Sequence, residues 1–185
     1  MQFLIDLWVP ILAGAAVAFI ASALAWTVMP HHRKEYTKLP NEDAVLDAIR
    51  AGSPGIGQFA FPYVDDMKEA NSPENKAKRE RGPYGFLTLA TPAEGMGGMM
   101  IQSFVFNAVV ATFTAYVASH ALQPGADYLA VFRLVGTIGF MAYGLGTVPD
   151  SIWFGRPWKA YALHATDALV YGLLMGGVFG WLWPR

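Results

Sequence analysis

The chain of 185 residues is 54% hydrophobic with a mean hydropathy of +0.32, yet 15% of its residues are charged, a mixture that suits a membrane protein with a polar insert better than a soluble domain. A net charge of −1 and a pI near 6.4 leave no basic stripe for nucleic acid. The absence of cysteine excludes disulfides, thiolate metal sites and cysteine nucleophiles.

Taken in order, the first span is expected from about Leu7 to Met29, with no charge after Asp6 and a polar stop at Pro30-His31-His32-Arg33-Lys34. Its Gly14, Ala18 and Ser22 recur every four residues, so one face is small enough for a neighbouring helix to approach closely. Ala23-Leu24-Ala25 resembles a signal-peptidase site, but residues 1–7 carry no Lys or Arg. The apolar run also exceeds the ~7–15 residues of a signal core, so a retained span is expected.

Residues 30–98 form the polar insert, expected to be folded. Asn41 before Glu42-Asp43, then Val45, Leu46 and Ile49, ending at Gly52, has the order of an N-cap, acids in the first turn, an apolar face and a terminal glycine. Ser72-Pro73-Glu74 opens a second polar helix with Lys76, Lys78, Arg79 and Arg81 toward its end, as the helix dipole favours. Gln58 to Phe61 and Tyr84 to Leu89 read as short strands, which need support because two strands alone are marginal in water. Pro92 to Gly98 is read as a flexible entry to the next span, and its glycines lack the Lys and Ser/Thr of a phosphate loop.

The second span is expected from about Met99 to Leu122, carrying Gln102, Asn107 and His120, and Gln123-Pro124-Gly125 turns the chain. The third runs from about Tyr128 to Val148 with Arg133 and Gly136, Gly139, Gly144 and Gly146. The fourth, Tyr161 to Trp183, has a small-residue stripe of the glycine-zipper kind at Gly172, Gly176 and Gly180, continued backward by Ala168 and His164. The fold class expected is an all-α four-helix transmembrane bundle with a small mixed α/β insert, divided as 1–29, 30–98 and 99–185.

Nine Lys/Arg lie in 30–98, and Arg156 and Lys159 lie in the last loop, whereas the 123–127 turn has none. The positive-inside rule then places both basic loops in the cytoplasm and both termini outside, as in a bacterial inner membrane. Trp8, Trp153, Trp158, Trp181 and Trp183 fall near the expected interfaces, where amphipathic rings belong.

Few groups invite chemistry. At ~1.5 Å per residue, Asp167 lies roughly 12 Å past Lys159, level with Asn107, with His164 and Gln102 slightly nearer the edge. An ionisable group inside a span is a functional candidate, so Asp167, His164 and Asn107 are the candidate catalytic or proton-handling residues; the bland alternative is a packing role with Asp167 bonded to Asn107 or a tyrosine hydroxyl. Arg133, about 8 Å inside the opposite edge, either snorkels or holds a lipid headgroup or a partner's carboxylate. His31, His32 and His164 all approach one interface, but adjacent histidines in a turn point differently and no cysteine completes a set, so no metal site is assigned. A Ser-His-Asp hydrolase cannot be assembled, and no cofactor is evident.

The leading functional expectation is an accessory or interaction subunit of a larger inner-membrane assembly, energy-transducing ones included, with the bilayer and other subunits or a second copy as partners. It rests on the stripes Gly14/Ala18/Ser22 and Gly172/Gly176/Gly180. The alternatives are a small transporter or proton-handling protein using Asp167 and His164, and a membrane enzyme acting on lipid or quinone where Asp150, Trp153, Arg156 and His164 meet.

Overall fold

The computed structural model describes residues 2–66, 68–92 and 95–185, which divide into two units: residues 1–36 with 95–185, and residues 37–94. The first unit holds α1 (Gln2–Asp6), α2 (Trp8–Thr27), a 3-10 turn (His31–Lys34), α5 (Met96–Ala121), α6 (Tyr128–Tyr143), a 3-10 turn (Leu145–Thr147), α7 (Val148–Trp153) and α8 (Trp158–Leu182). Four helices are long and apolar enough to cross a membrane: Trp8–Thr27, Met96–Ala121, Tyr128–Trp153 and Trp158–Leu182. Each overlaps one expected span.

Three boundaries differ from the sequence reading. Residues 30–36 belong with the bundle rather than with the insert. Of the expected flexible entry, residues 93 and 94 lie outside the described residues, while Met96, Gly97 and Gly98 are already the first turn of α5. The third span is interrupted: α6 stops at Tyr143, and α7 resumes at Val148 with Pro149 in its first turn. Glycines at 144 and 146 weaken the helix there, and Pro149 supplies no N–H to continue the ladder.

The bundle closes as a ring in which α6 packs on α8, α8 on α2, α2 on α5 and α5 on α6. Its core is built largely of small side chains: Ala15 and Ala18 from α2, Ala111, Ala115 and Ala118 from α5, with Val131, Val135, Met175 and Phe179 filling the space between. Close approach is the main source of cohesion available in lipid, where hydrocarbon outside matches hydrocarbon inside. The seam between α6 and α8 shows this in antiparallel register. A Cβ on Gly172 would lie 2.6 Å from the Gly136 carbonyl oxygen, one on Gly176 2.8 Å from the Phe132 carbonyl oxygen, and one on Gly180 2.7 Å from the Tyr128 ring. Across the bundle, a Cβ on Gly14 would meet the Phe179 ring at 2.7 Å. Gly14 and Ala18 are buried, and Ser22 turns its hydroxyl to the Phe19 carbonyl at 2.8 Å. Gly14 and Ala18 of the first stripe and Gly172, Gly176 and Gly180 of the second are thus occupied within the chain.

At one end of the bundle the 123–127 turn is tied to the chain's tail. Gly125 N–H donates to the Pro184 carbonyl at 2.7 Å and the Trp183 indole donates to the Gln123 carbonyl at 3.0 Å.

The second unit contains α3 (Glu42–Gly52), β1 (Gly57–Phe61), a 3-10 turn (Glu69–Asn71), α4 (Pro73–Arg81) and β2 (Gly85–Leu89). The strands pair antiparallel with Gly57 opposite Leu89 and Phe61 opposite Gly85. Both helices and both strands fall where the sequence put them. Ser72 Oγ accepts from Asn75 N–H at 3.2 Å, an N-cap that Pro73 follows. At the end of α3, Gly52 is the last helical residue and Ser53 takes the left-handed position at φ 42°. Ala70 is the one buried residue of this unit among those described.

Candidate functional site

Beyond the last turn of α2 the chain folds into the His31–Lys34 turn, whose 3-10 winding places positions three apart on the same side. His32 and Glu35 are so related, and His32 Nδ1 is hydrogen-bonded to Glu35 Oε1. The other ring nitrogen, Nε2, lies 2.6 Å from Asp167 Oδ2 on α8. His31 Nε2 lies 3.0 Å from the second oxygen of the same carboxylate, Oδ1. Adjacent histidines therefore do diverge, with rings tilted by 42°, but they converge on the two oxygens of one carboxylate. The spacing argument against a shared site fails for that reason.

Glu35 is the second hub. Its Oε2 is 3.3 Å from His164 Nε2 and 3.8 Å from an Arg156 guanidinium nitrogen. Two carboxylates are thus held by three of the four histidines in the sequence and by one arginine. The His32 ring is fixed in orientation by Trp26, stacked on it at 4.0 Å with an interplanar angle of 2°. His164 meets Trp26 and His32 edge-on, at 5.2 and 5.1 Å. The Tyr171 hydroxyl, one turn beyond Asp167, reaches Oδ2 at 3.4 Å.

The cluster lies at the rim of the bundle. The side chains of His32 and Glu35 are 4% and 6% exposed, against 25% for His31 and His164. Burial pushes the His32 imidazole down, but hydrogen bonds to Asp167 and Glu35 and the charge of both outweigh it and hold its pKa above the ordinary value near 6.5. A carboxylate at each nitrogen favours the protonated ring, in which both nitrogens donate.

Two overlapping donor sets result: His31, His32 and Asp167, and His32, Glu35 and His164, each with its ligand atoms within 4.8 Å of one another. Both consist of two imidazoles and one carboxylate. The sequence reading, which assigned no metal, singled out His164 and Asp167 but paired them with Asn107 and Gln102. Gln102 is exposed, and Asn107 is buried elsewhere. Its amide carbonyl accepts from the Tyr143 hydroxyl at 2.8 Å, and its NH2 donates to the Ser103 carbonyl at 2.8 Å. Tyr143 in turn packs edge-on against Tyr171 at 5.6 Å. Glu35 and Trp26 were missed, whereas the tyrosine hydroxyl expected on Asp167 is that of Tyr171. The signal for Glu35 was its three-residue spacing from His32 immediately after a span.

Arg133 is exposed on α6. Of the group Asp150, Trp153, Arg156 and His164, the last two meet at Glu35, while Asp150 and Trp153 are exposed on α7. A cavity of about 590 Å³ at the opposite end of the bundle is lined by Phe3, Asp6, His120, Trp183 and Arg185 and is remote from the cluster.

The fold and the site together define a helical bundle with four potential membrane spans and a histidine–carboxylate centre at one end, consistent with a multi-pass membrane protein. No family model, curated protein or solved structure matches the chain.

Proposed function

We propose that this chain is a small cation-handling membrane protein, of the transporter or proton-handling kind, whose working site is the cluster of His31, His32, Glu35, His164 and Asp167. The observation that supports this reading is Asp167: an acidic residue on a helix of membrane-spanning character, with both carboxylate oxygens directed at imidazole nitrogens. Ionisable groups on such helices are costly to keep and mark ion or proton paths when they are kept. The nine Lys/Arg of 30–98, with Arg156 and Lys159, favour a cytoplasmic position for this end in a bacterial inner membrane, with both termini outside. Arg133, near the other end, suits an anionic headgroup.

The test is purified protein in liposomes loaded with pH- and metal-sensitive dyes. Wild type is expected to dissipate a proton or divalent-metal gradient, and Asp167→Asn to lose that activity while eluting as a folded species. Equal traces from wild type, Asp167→Asn and empty vesicles would overturn the reading.

A second reading, an accessory subunit of a larger membrane assembly, draws on residues 37–94. That unit buries one described residue, Ala70, and leaves Ile56, Tyr63 and Tyr84 at 70% exposure or more. Such a unit suits completion by a partner. Extraction in a mild detergent that yields the bare monomer alone would count against it.

A further inference from the structure

Resting on the reading that the cluster is the working site, we infer that it is a mononuclear site for a divalent transition metal, ligated by His31 Nε2, His32 Nε2 and the Asp167 carboxylate. Glu35 is the group that orients His32 from outside the coordination sphere. The donors already converge: His31 Nε2 is 3.0 Å from Asp167 Oδ1 and His32 Nε2 is 2.6 Å from Oδ2. A tetrahedral ion with bonds of about 2.0–2.1 Å holds its donors ~3.3 Å apart. All three ligand atoms lie within 4.8 Å of one another, so seating the ion asks the two gaps to Asp167, now 3.0 and 2.6 Å, to widen by less than ~1 Å.

The two donor sets share His32 and are not equivalent. A ligating histidine binds the metal through one nitrogen and donates its other N–H to a carboxylate or carbonyl, which fixes the tautomer and aims the lone pair. With the metal on Nε2, Nδ1–H donates to Glu35, and Glu35 is itself held by Arg156 and His164. With the metal on Nδ1 instead, Glu35 would have to bind it while its Oε2 faces the Arg156 guanidinium at 3.8 Å, setting one cation beside another. Charge repulsion selects the His31–His32–Asp167 set. Trp26, flat against His32, restricts the ring before any ion arrives, and Tyr171 steadies Asp167.

Two imidazoles and one carboxylate suit zinc or ferrous iron, and also cobalt as a probe; calcium and magnesium prefer all-oxygen shells. Three protein ligands leave a position open for water or substrate, unlike the four that close a structural zinc site. The partly exposed His31 side chain gives the ion a way in.

The test uses full-length protein in detergent, stripped with a chelator and titrated with Co²⁺ and Zn²⁺ by calorimetry, with the Co²⁺ visible spectrum recorded. One equivalent is expected, with the intense absorption of four- or five-coordinate Co²⁺, and no uptake of Mg²⁺. His31→Ala, the least buried ligand change, is expected to weaken binding at least 100-fold while the elution profile stays that of wild type. Glu35→Gln should weaken it ~10–100-fold with an unchanged spectrum, as loss of an outer partner does, and His164→Ala should retain the spectrum. Loss of binding in His164→Ala with retention in His31→Ala would move the metal to the other set and overturn the assignment. Stoichiometric binding absent from wild type would make the cluster a hydrogen-bonded staple; proton flux lost in Asp167→Asn would then still stand for the broader reading.

Discussion

Helix α8 makes two kinds of contact along one length, and their difference says how this chain is held together. Past its midpoint, Gly172 and Gly176 meet α6 backbone to backbone and Gly180 seats the Tyr128 ring, so that seam depends on glycines that carry no side chain. Nearer its start, Asp167 and His164 meet a turn from another part of the chain through charge and hydrogen bonds. On the α8 side the seam has no room for an added Cβ at Gly172, Gly176 or Gly180, whatever its polarity. The cluster depends instead on which atoms donate and which accept. One region is close packing, the other a cluster of paired polar groups.

The largest expected effect breaks the seam. Gly172→Val puts branched carbon against Gly136 and Phe140 backbone, where even one Cβ would lie at 2.6 and 2.8 Å. Overpacking typically costs ~1–3 kcal/mol, and a rigid backbone neighbour puts this case at or above the upper end. Thermal unfolding in detergent should show a clear loss, whereas Gly177→Ala, whose Cβ would meet only the Tyr128 hydroxyl at 3.5 Å, should leave the transition in place.

Next in size, Asp167→Asn should alter the site and spare the seam. The amide keeps the shape of the carboxylate while removing the charge that holds His31 and His32. Protease nicking near residues 30–36 is expected to rise, with the melting transition of the bundle lowered much less than in Gly172→Val. A collapse of the whole fold would erase the distinction between the two regions.

Trp26→Ala removes the ring stacked on His32, a contact worth ~0.5–1.5 kcal/mol beyond the area it covers. Tryptophan fluorescence provides the check from the other side: His32→Ala removes the imidazole stacked on Trp26 and should raise emission. Smallest of all, Asn107→Leu takes away the Tyr143 hydrogen bond at the edge of the seam. Bonds of this kind between membrane helices average ~0.6 kcal/mol, so a shift near the limit of detection is expected. A large loss would place Asn107 in the site after all.

The seam was legible in the sequence and the cluster only in part. Glycines four apart in the last span and four glycines in the third announce close approach, because in lipid few other forces reward small residues at helical spacing. What the spacing does not reveal is which helix makes the approach, and for Gly172 it is α6, through Gly136. Asp167 and His164 stood out because an acid and a histidine are costly in an apolar run. Their true companions lay 129 to 136 positions away in sequence, in a polar stop that reads as mere boundary punctuation. Depth counted along a single helix misled as well. It matched Asp167 to Asn107 by level, although the bundle turns Asn107 to Tyr143 and brings the 31–34 turn to Asp167. Level is a one-helix quantity, whereas azimuth needs the packed bundle.

The central claim is that the turn at His31 and His32 and the carboxylate on α8 form one ready-made metal centre. Anomalous diffraction at the zinc edge from crystals of the full-length protein grown with Zn²⁺ tests it most directly. The account predicts one strong peak about 2.0–2.2 Å from His31 Nε2, His32 Nε2 and an Asp167 oxygen, with Glu35 outside bonding distance. A peak bonded to Glu35 and His164, or none within reach of His32, would contradict it.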